Sequence, residues 1–282
     1  MKVFIQSNKF QELAAKVSKY SFIKNGFKDV EIINIEDCDI LKRNFGRKYL
    51  RNGKITKYES NDLQSFTLLR FIPTLLFKKG YCMIVDPDIF VVKNPIKSIQ
   101  QEIKYEADLF CTKIDNKFRS EIMILNLNKN LWDFEKIIED LFELKIDYSD
   151  LINLNFAKNL KIKKLDKKFN EHDNIKKDTI FLHTSNRQTQ PWKEGLKVNF
   201  KNYFSITYIV KNYIKHLLKL NADKRVTKDY FYKHPNEDVH NFVVNIFNSA
   251  LINRYISKKE INYALKQKYI SKEFTNYFLK KN

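Results

Sequence analysis

At 282 residues, with 43% hydrophobic residues, 23 Phe and 15 Tyr, the chain has ample material for a core, which excludes global disorder. Five Gly and five Pro argue against a fibrous or loop-dominated protein, and three scattered cysteines (Cys38, Cys82, Cys111) form neither a disulfide framework nor a zinc pattern. The formal charge of +19 is concentrated in the tail, where 16 Lys and Arg face 6 Asp and Glu from Lys201 onward, and it points to nucleic acid, an anionic membrane surface or phosphorylated substrates.

Val3 to Ile5 reads as a first strand, Phe10 to Lys24 as a helix and Val30 to Ile35 as a second strand, an opening β-α-β. The strand offers only three apolar residues before Gln6, so no signal peptide is expected, and no apolar run approaches the roughly 20 residues that span a bilayer. Lys42 to Glu59 is polar, carries Gly46 and Gly53, and reads as a loop or mobile flap. Asn61 to Gln64 resembles a helix entry, and a helix from Ser65 to Phe77 leads into a strand that ends at Asp86. Further strands are expected at Ala107 to Thr112, Glu121 to Leu127 and Ile180 to Leu182, with an amphipathic helix at Leu131 to Leu144. Beyond Phe200 the pattern is helical and aromatic. Strands alternating with helices predict an α/β domain over residues 1–200 and a basic, aromatic-rich helical extension over 201–282.

The stretch from Tyr81 to Val92 concentrates the chemistry. An apolar run bounded by Gly80 ends on Asp86-Pro87-Asp88. Two acids one residue apart at a strand's carboxyl end suit a hard divalent cation, because ligands of open α/β sheets gather there. Asp and Pro are also turn formers, so a solvated turn is the competing reading.

Ser65 to Phe71 with Arg70, then Asp86-Pro87-Asp88, then Leu182-His183 followed by Pro191-Trp192-Lys193, is similar to the motif order of family-8 glycosyltransferases, which include glycogenin and bacterial lipopolysaccharide glucosyl- and galactosyltransferases. The likeness spans roughly residues 1–200 and rests on these motifs. It implies a GT-A-type, Rossmann-like mixed sheet flanked by helices, a UDP-sugar donor, Mn²⁺ or Mg²⁺, and transfer of a hexosyl group with retention to a glycan or lipid-linked acceptor. Asp86, Asp88 and His183 would then hold the metal, which acts as a Lewis acid on the departing diphosphate. Asp86 would also contact the ribose, Arg70 would hold donor hydroxyls or phosphate, and Gln6, Ser7 and Asn8 would hold uracil and ribose.

Three departures qualify the likeness. The family's distal Lys becomes Gln190, in a segment one residue longer, so Arg187 or Lys193 takes over the diphosphate. Its Phe-Asn-Ser/Ala-Gly segment becomes Phe118-Arg119-Ser120-Glu121, without the Asn and the Gly. Its Asp-Gln pair is replaced by Tyr148-Ser149 or Asp150-Leu151, leaving Asp150 and Asn153 as the catalytic candidates.

Trp192 is expected to fix its loop, and His172, His216, His234 and His240 to be surface or packing residues. The tail's mixture of Lys with Tyr and Phe fits a helical cap, or peripheral contact with an anionic membrane, better than specific nucleic-acid binding. A cytoplasmic protein, peripheral on the inner face of the membrane, is the expected location. Two other functions compete. A sugar-phosphate nucleotidyltransferase would carry a Gly-rich loop after the first strand, where Gln6 to Lys9 has no Gly; a non-catalytic basic protein would not need the ordered Arg70, Asp86, Asp88 and His183.

Overall fold

A computed structural model describes residues 1–60, 62, 65–198, 206–220 and 230–279. Asn61, Leu63 and Gln64 of the expected helix entry, and Lys201 and Tyr203 at the head of the tail, lie outside the described residues.

The fold is mixed α/β. A six-stranded sheet has the order β2-β1-β5-β8-β7-β9, formed by β1 (Lys2–Ser7), β2 (Val30–Asn34), β5 (Tyr81–Val85), β7 (Leu109–Ile114), β8 (Lys117–Asn126) and β9 (Ile162–Lys164). β1 runs parallel to β2 and β5, β8 is antiparallel to β5 and β7, and β9 is parallel to β7. Side chains alternate across a pleated strand, so Cys82 and Ile84 enter one core with Phe4, Met123 and Leu125, while Met83 and Val85 enter the opposite core with Val3, Ile5 and Ile122. Burial on both faces explains why this run is continuously apolar.

At Asp86 the chain leaves the large sheet. Three residues later it enters a small sheet of order β10-β11-β6, made of β6 (Ile89–Val91), β10 (Glu171–His172) and β11 (Phe181–His183). β6 is antiparallel to β11 and places Ile89 opposite His183. Its other side is satisfied by two buried serines of the helix Glu12–Lys24: Ser18 Oγ donates to Ile89 O, and Val91 N donates to Ser21 Oγ.

Two local expectations are corrected. The segment read as a loop or flap contains the antiparallel hairpin β3 (Lys48–Arg51) and β4 (Lys54–Lys57). Its turn is Asn52-Gly53, both at positive φ, a pair suited to a two-residue hairpin. The Asp147 carboxylate accepts from both turn amides, and Tyr49 and Tyr58 pack on Phe142, so the hairpin is docked. The helix expected from Ser65 to Phe77 is a 3₁₀ segment, Ser65–Phe71, followed by the short helix Pro73–Leu76. Pro73 lacks an N–H and so cannot extend the hydrogen-bond ladder of the preceding segment; it opens the short helix instead.

The tail helices Glu237–Ile252, Lys258–Lys266 and Lys272–Leu279 close a third core against Leu13, Val17, Phe90, Leu182 and Trp192. Phe247 stacks on Trp192 and meets Phe274 edge-on. The tail also clamps the motif-bearing segment through backbone bonds: Ser271 N donates to Trp192 O, Tyr232 N to Gln188 O, and Gly195 N to Phe231 O. Phe247→Ala removes a fully buried ring at this junction and is expected to destabilise the protein by about 3–5 kcal/mol in chemical denaturation.

Candidate metal centre

Asp86, Asp88 and His183 converge: one ligand atom from each lies within 4.8 Å of the other two. Asp86 caps the carboxyl end of β5, Asp88 precedes β6, and His183 ends β11, so the pairing of the small sheet brings the histidine to the acids. Thr184 fixes the junction, its backbone N–H and its Oγ1 both donating to Asp88 O at 3.1 Å.

Each ligand is oriented by a neighbour. Arg70, buried in the 3₁₀ segment, grips Asp86 with two bonds, Nε to Oδ1 at 3.0 Å and Nη2 to Oδ2 at 2.5 Å. Gln6 Nε2 donates to the same Oδ1. The third guanidinium nitrogen, Nη1, donates to Ser120 Oγ at 2.8 Å, and that hydroxyl donates on to Ile152 O. Gln190 Nε2 donates to Asp88 Oδ2 at 2.9 Å, and His183 Nε2 lies 3.4 Å from Asp88 Oδ1. His183 Nδ1 faces Asn170 Oδ1 at 3.1 Å, while Asn170 Nδ2 donates to Thr112 Oγ1. With its Nδ1 proton committed to Asn170, neutral His183 turns the Nε2 lone pair toward the acids, as a metal ligand requires.

The electrostatics are those of a buried anionic nest. Burial pushes Asp86 up, to about 6; Arg70 opposes this and Asp88 adds to it. Burial alone would lower His183, but Asp88 outweighs it, with Asp86 and Glu121 adding, and raises it to about 9. Burial pushes the Lys193 amine down to about 7, against the pull of Asp88 and with Arg187 adding to the shift. Burial likewise lowers Arg187, with Arg51 adding to the shift and Tyr148, Asp62 and Asp88 opposing it. Gln6 Oε1, Gln190 Oε1, Glu121 Oε2 and Lys193 Nζ are buried without a hydrogen-bond partner among the described residues. A group of orphaned donors and acceptors around one cluster marks a place where a ligand or ion completes the bonding. Two carboxylates and an imidazole are a donor set that fits a divalent cation.

The other expected residues have definite positions. Ser7 and Asn8 are buried at the end of β1. Asn8 Oδ1 accepts from Phe10 N, and its Nδ2 reaches Asp62 O and Ser65 Oγ, so it ties the first turn to the segment that carries Arg70. Asp150 lies in a capping box of the helix Tyr148–Ile152: one carboxylate oxygen accepts from Asp147 N and the other from Asn155 Nδ2. Both oxygens therefore serve local structure. Asn153 Nδ2 donates to Ser149 O, and its Oδ1 is buried without a partner among the described residues.

Sequence reasoning missed three neighbours. Glu121, read only as the loss of a Gly, sits beside Asp86, whose N–H donates to Glu121 O. Burial would raise this acid, but Arg119, Arg70 and His183 together hold it down at about 2. An acid opening the apolar run Ile122 to Leu127 was the available signal. His172, read as a surface or packing residue, meets the His183 ring edge-on at 4.8 Å, and burial, with His183 adding, pushes it down to about 4. Asn170 carries no local signal, because its task arises only where β10 and β11 meet.

No protein-family model matches the chain, and neither does any curated protein sequence. Among solved structures, the chain is similar to the galactosyltransferase LgtC in complex with donor and acceptor sugar analogs, at 10% identity and a TM-score of 0.49, covering 79% of this chain and 97% of that one. It is also similar to the glycosyltransferase GlyE of Streptococcus pneumoniae TIGR4, at 14% identity and a TM-score of 0.47, covering 73% of this chain. A third is the bifunctional glycosyltransferase WbbM, at 11% identity and a TM-score of 0.45, covering 69% of this chain. The chain spans 57% of the GlyE structure and 47% of the WbbM structure. Identities this low leave the chemistry of the site to its own residues.

In the metal-free protein one imidazole is expected to titrate near pH 9 by NMR, and His183→Gln removes that signal. Because the folded pKa lies above the ordinary 6.5, the stabilisation from the charged His183–Asp88 pair is complete below pH 6.5 and is lost as pH rises through about 9. The stability gap between wild type and His183→Gln should narrow over that window.

Proposed function

We propose that the protein is a metal-dependent glycosyltransferase of GT-A type that moves a hexosyl group from a UDP-sugar to a hydroxyl of a glycan or lipid-linked acceptor, with the retention that its family resemblance implies. The observation that carries this reading is the convergence of Asp86, Asp88 and His183 where the chain passes from the large sheet to the small one, with buried Lys193 and half-buried Arg187 in electrostatic reach of Asp88. Acids and an imidazole alone would fit many metal sites. Basic side chains in electrostatic reach of those acids fit a ligand that is itself a polyanion bound to metal, and a nucleoside diphosphate is such a ligand.

Asp88 and His183 would be the direct metal ligands. Asp86, already gripped by Arg70 and Gln6, retains lone-pair capacity on Oδ2 for the metal or for a donor hydroxyl. When bound, a divalent cation supplies Lewis-acid stabilisation of the leaving diphosphate. Lys193, near neutrality in the empty site, gains a proton as an anion arrives and stabilises the same charge. Gln190 occupies the position where relatives carry the cation; its amide instead orients Asp88. Arg70 contributes by holding Asp86 ionised and aimed.

Turnover of UDP-sugars with Mn²⁺ tests the proposal. Asp88→Asn is expected to lose at least about a hundredfold in kcat/KM and to abolish Mn²⁺ binding in donor-free calorimetry. Near-normal turnover in that variant, or full activity after chelation, would sink it. Lys193→Met should weaken UDP binding while leaving Mn²⁺ binding in the absence of nucleotide intact.

A further inference from the structure

The basic tail divides into two kinds of helix. Phe231, Phe247, Phe274 and Phe278 are buried in the body of the protein. The helix Ile206–Leu217 does the reverse. Val210, Tyr213, Ile214 and Leu217 fall at i, i+3, i+4 and i+7, the spacing of one helical face, and are 50%, 51%, 50% and 79% exposed. Leu218 and Leu220 continue the apolar surface at 64% and 58% exposure. On the other side, Asn212 is buried and donates to Tyr208 O. The helix therefore turns its apolar face outward.

Its charges complete the pattern. Residues 206–220 contain Lys211, Lys215 and Lys219 and no Asp or Glu. At 12 residues the helix is about 18 Å long, at roughly 1.5 Å per residue. That is well short of the ~30 Å hydrocarbon core, and no helix among the described residues is long and apolar enough to cross a membrane. A short helix with an outward apolar face and lysines beside it suits the plane of an anionic bilayer. A second copy would set three lysines against three and repel.

We propose that Ile206–Leu217 is an in-plane anchor for an anionic lipid surface, with Val210, Tyr213, Ile214 and Leu217 entering the acyl boundary and Lys211, Lys215 and Lys219 meeting headgroup phosphates. The anchor stands apart from the proposed reaction, because vesicle binding is read without nucleotide or metal. The test is co-sedimentation of the full chain with vesicles of phosphatidylcholine alone and of phosphatidylcholine with phosphatidylglycerol. Binding is expected only to the anionic vesicles, falling roughly fivefold for each lysine changed to alanine and roughly tenfold for Leu217→Asp or Ile214→Asp. Tyr213→Trp should show a blue-shifted emission on the anionic vesicles. All of these positions are solvent-facing or flank the helix, so circular dichroism should match wild type. Equal binding to both vesicle types would overturn the proposal, as would unchanged binding by the Ile214→Asp/Leu217→Asp variant. A concentration-dependent dimer in vesicle-free solution that Leu217→Asp dissolves would assign the face to a second copy instead.

Discussion

The site depends on the buried ion pair between Arg70 and Asp86. Asp86 ends a strand covered on both faces, where an unpaired carboxylate would carry a desolvation penalty of several kcal/mol. Arg70 compensates with two hydrogen bonds in fork geometry, and its remaining reach to Ser120 ties the 3₁₀ segment to β8. Removing one partner of such a pair typically destabilises a protein by about 3–5 kcal/mol, because the other charge stays behind in a low-dielectric setting. The pair therefore anchors the fold and holds an ionised acid in place for chemistry. Glu121, pressed against the same cluster, adds to the negative potential that keeps His183 protonated in the metal-free protein.

The second constraint is the change of sheets at Asp86-Pro87-Asp88. A chain that leaves one sheet and enters another within three residues exposes a short, kinked stretch of backbone, and three of its polar groups are met: Asp86 N by Glu121 O, Asp86 O by Ile89 N, and Asp88 O by Thr184. The small sheet then sets His183 opposite Ile89. Its register is held from outside by Ser18 and Ser21 of the first helix and by the tail packed around Trp192. The tail is thus part of the site's scaffold, since it fixes the segment that carries Gln190 and Lys193. His234 adds to this: its ring faces Asp173, whose carboxylate accepts from Ser185 and Asn186 in the loop after His183.

Much of this was legible in the residues. The β-α-β opening, the apolar strand ending on two acids, and Arg70 and His183 as members of one constellation all followed from periodicity and motif order. The hairpin at Asn52-Gly53 was legible too, and the glycine count obscured it. Gln6 and Arg70, expected to hold the donor, both hydrogen-bond to Asp86. That preference cannot be read along the chain, because it depends on β1, the 3₁₀ segment and β5 meeting at one end of the sheet. Asp150 offered an acid at the expected place; one of its oxygens accepts from the helix N-cap amide and the other from the Asn155 side chain.

The sequence by itself determined which segments are strands and helices and which residue types carry the chemistry, because those features are set by local periodicity and by the donor atoms of each side chain. Tertiary structure decided which donors meet. It brought His183 to the two aspartates, put Gln190 on Asp88, buried Lys193 against the Phe231 ring, and set Glu121 and His172 beside the cluster. Among the described residues of the basic, aromatic tail, it also set three packed helices apart from one whose apolar face looks outward. Lysines and aromatics run through both parts of that tail; what differs in their packing is whether a complementary surface lies within reach, and that is a property of the folded chain alone.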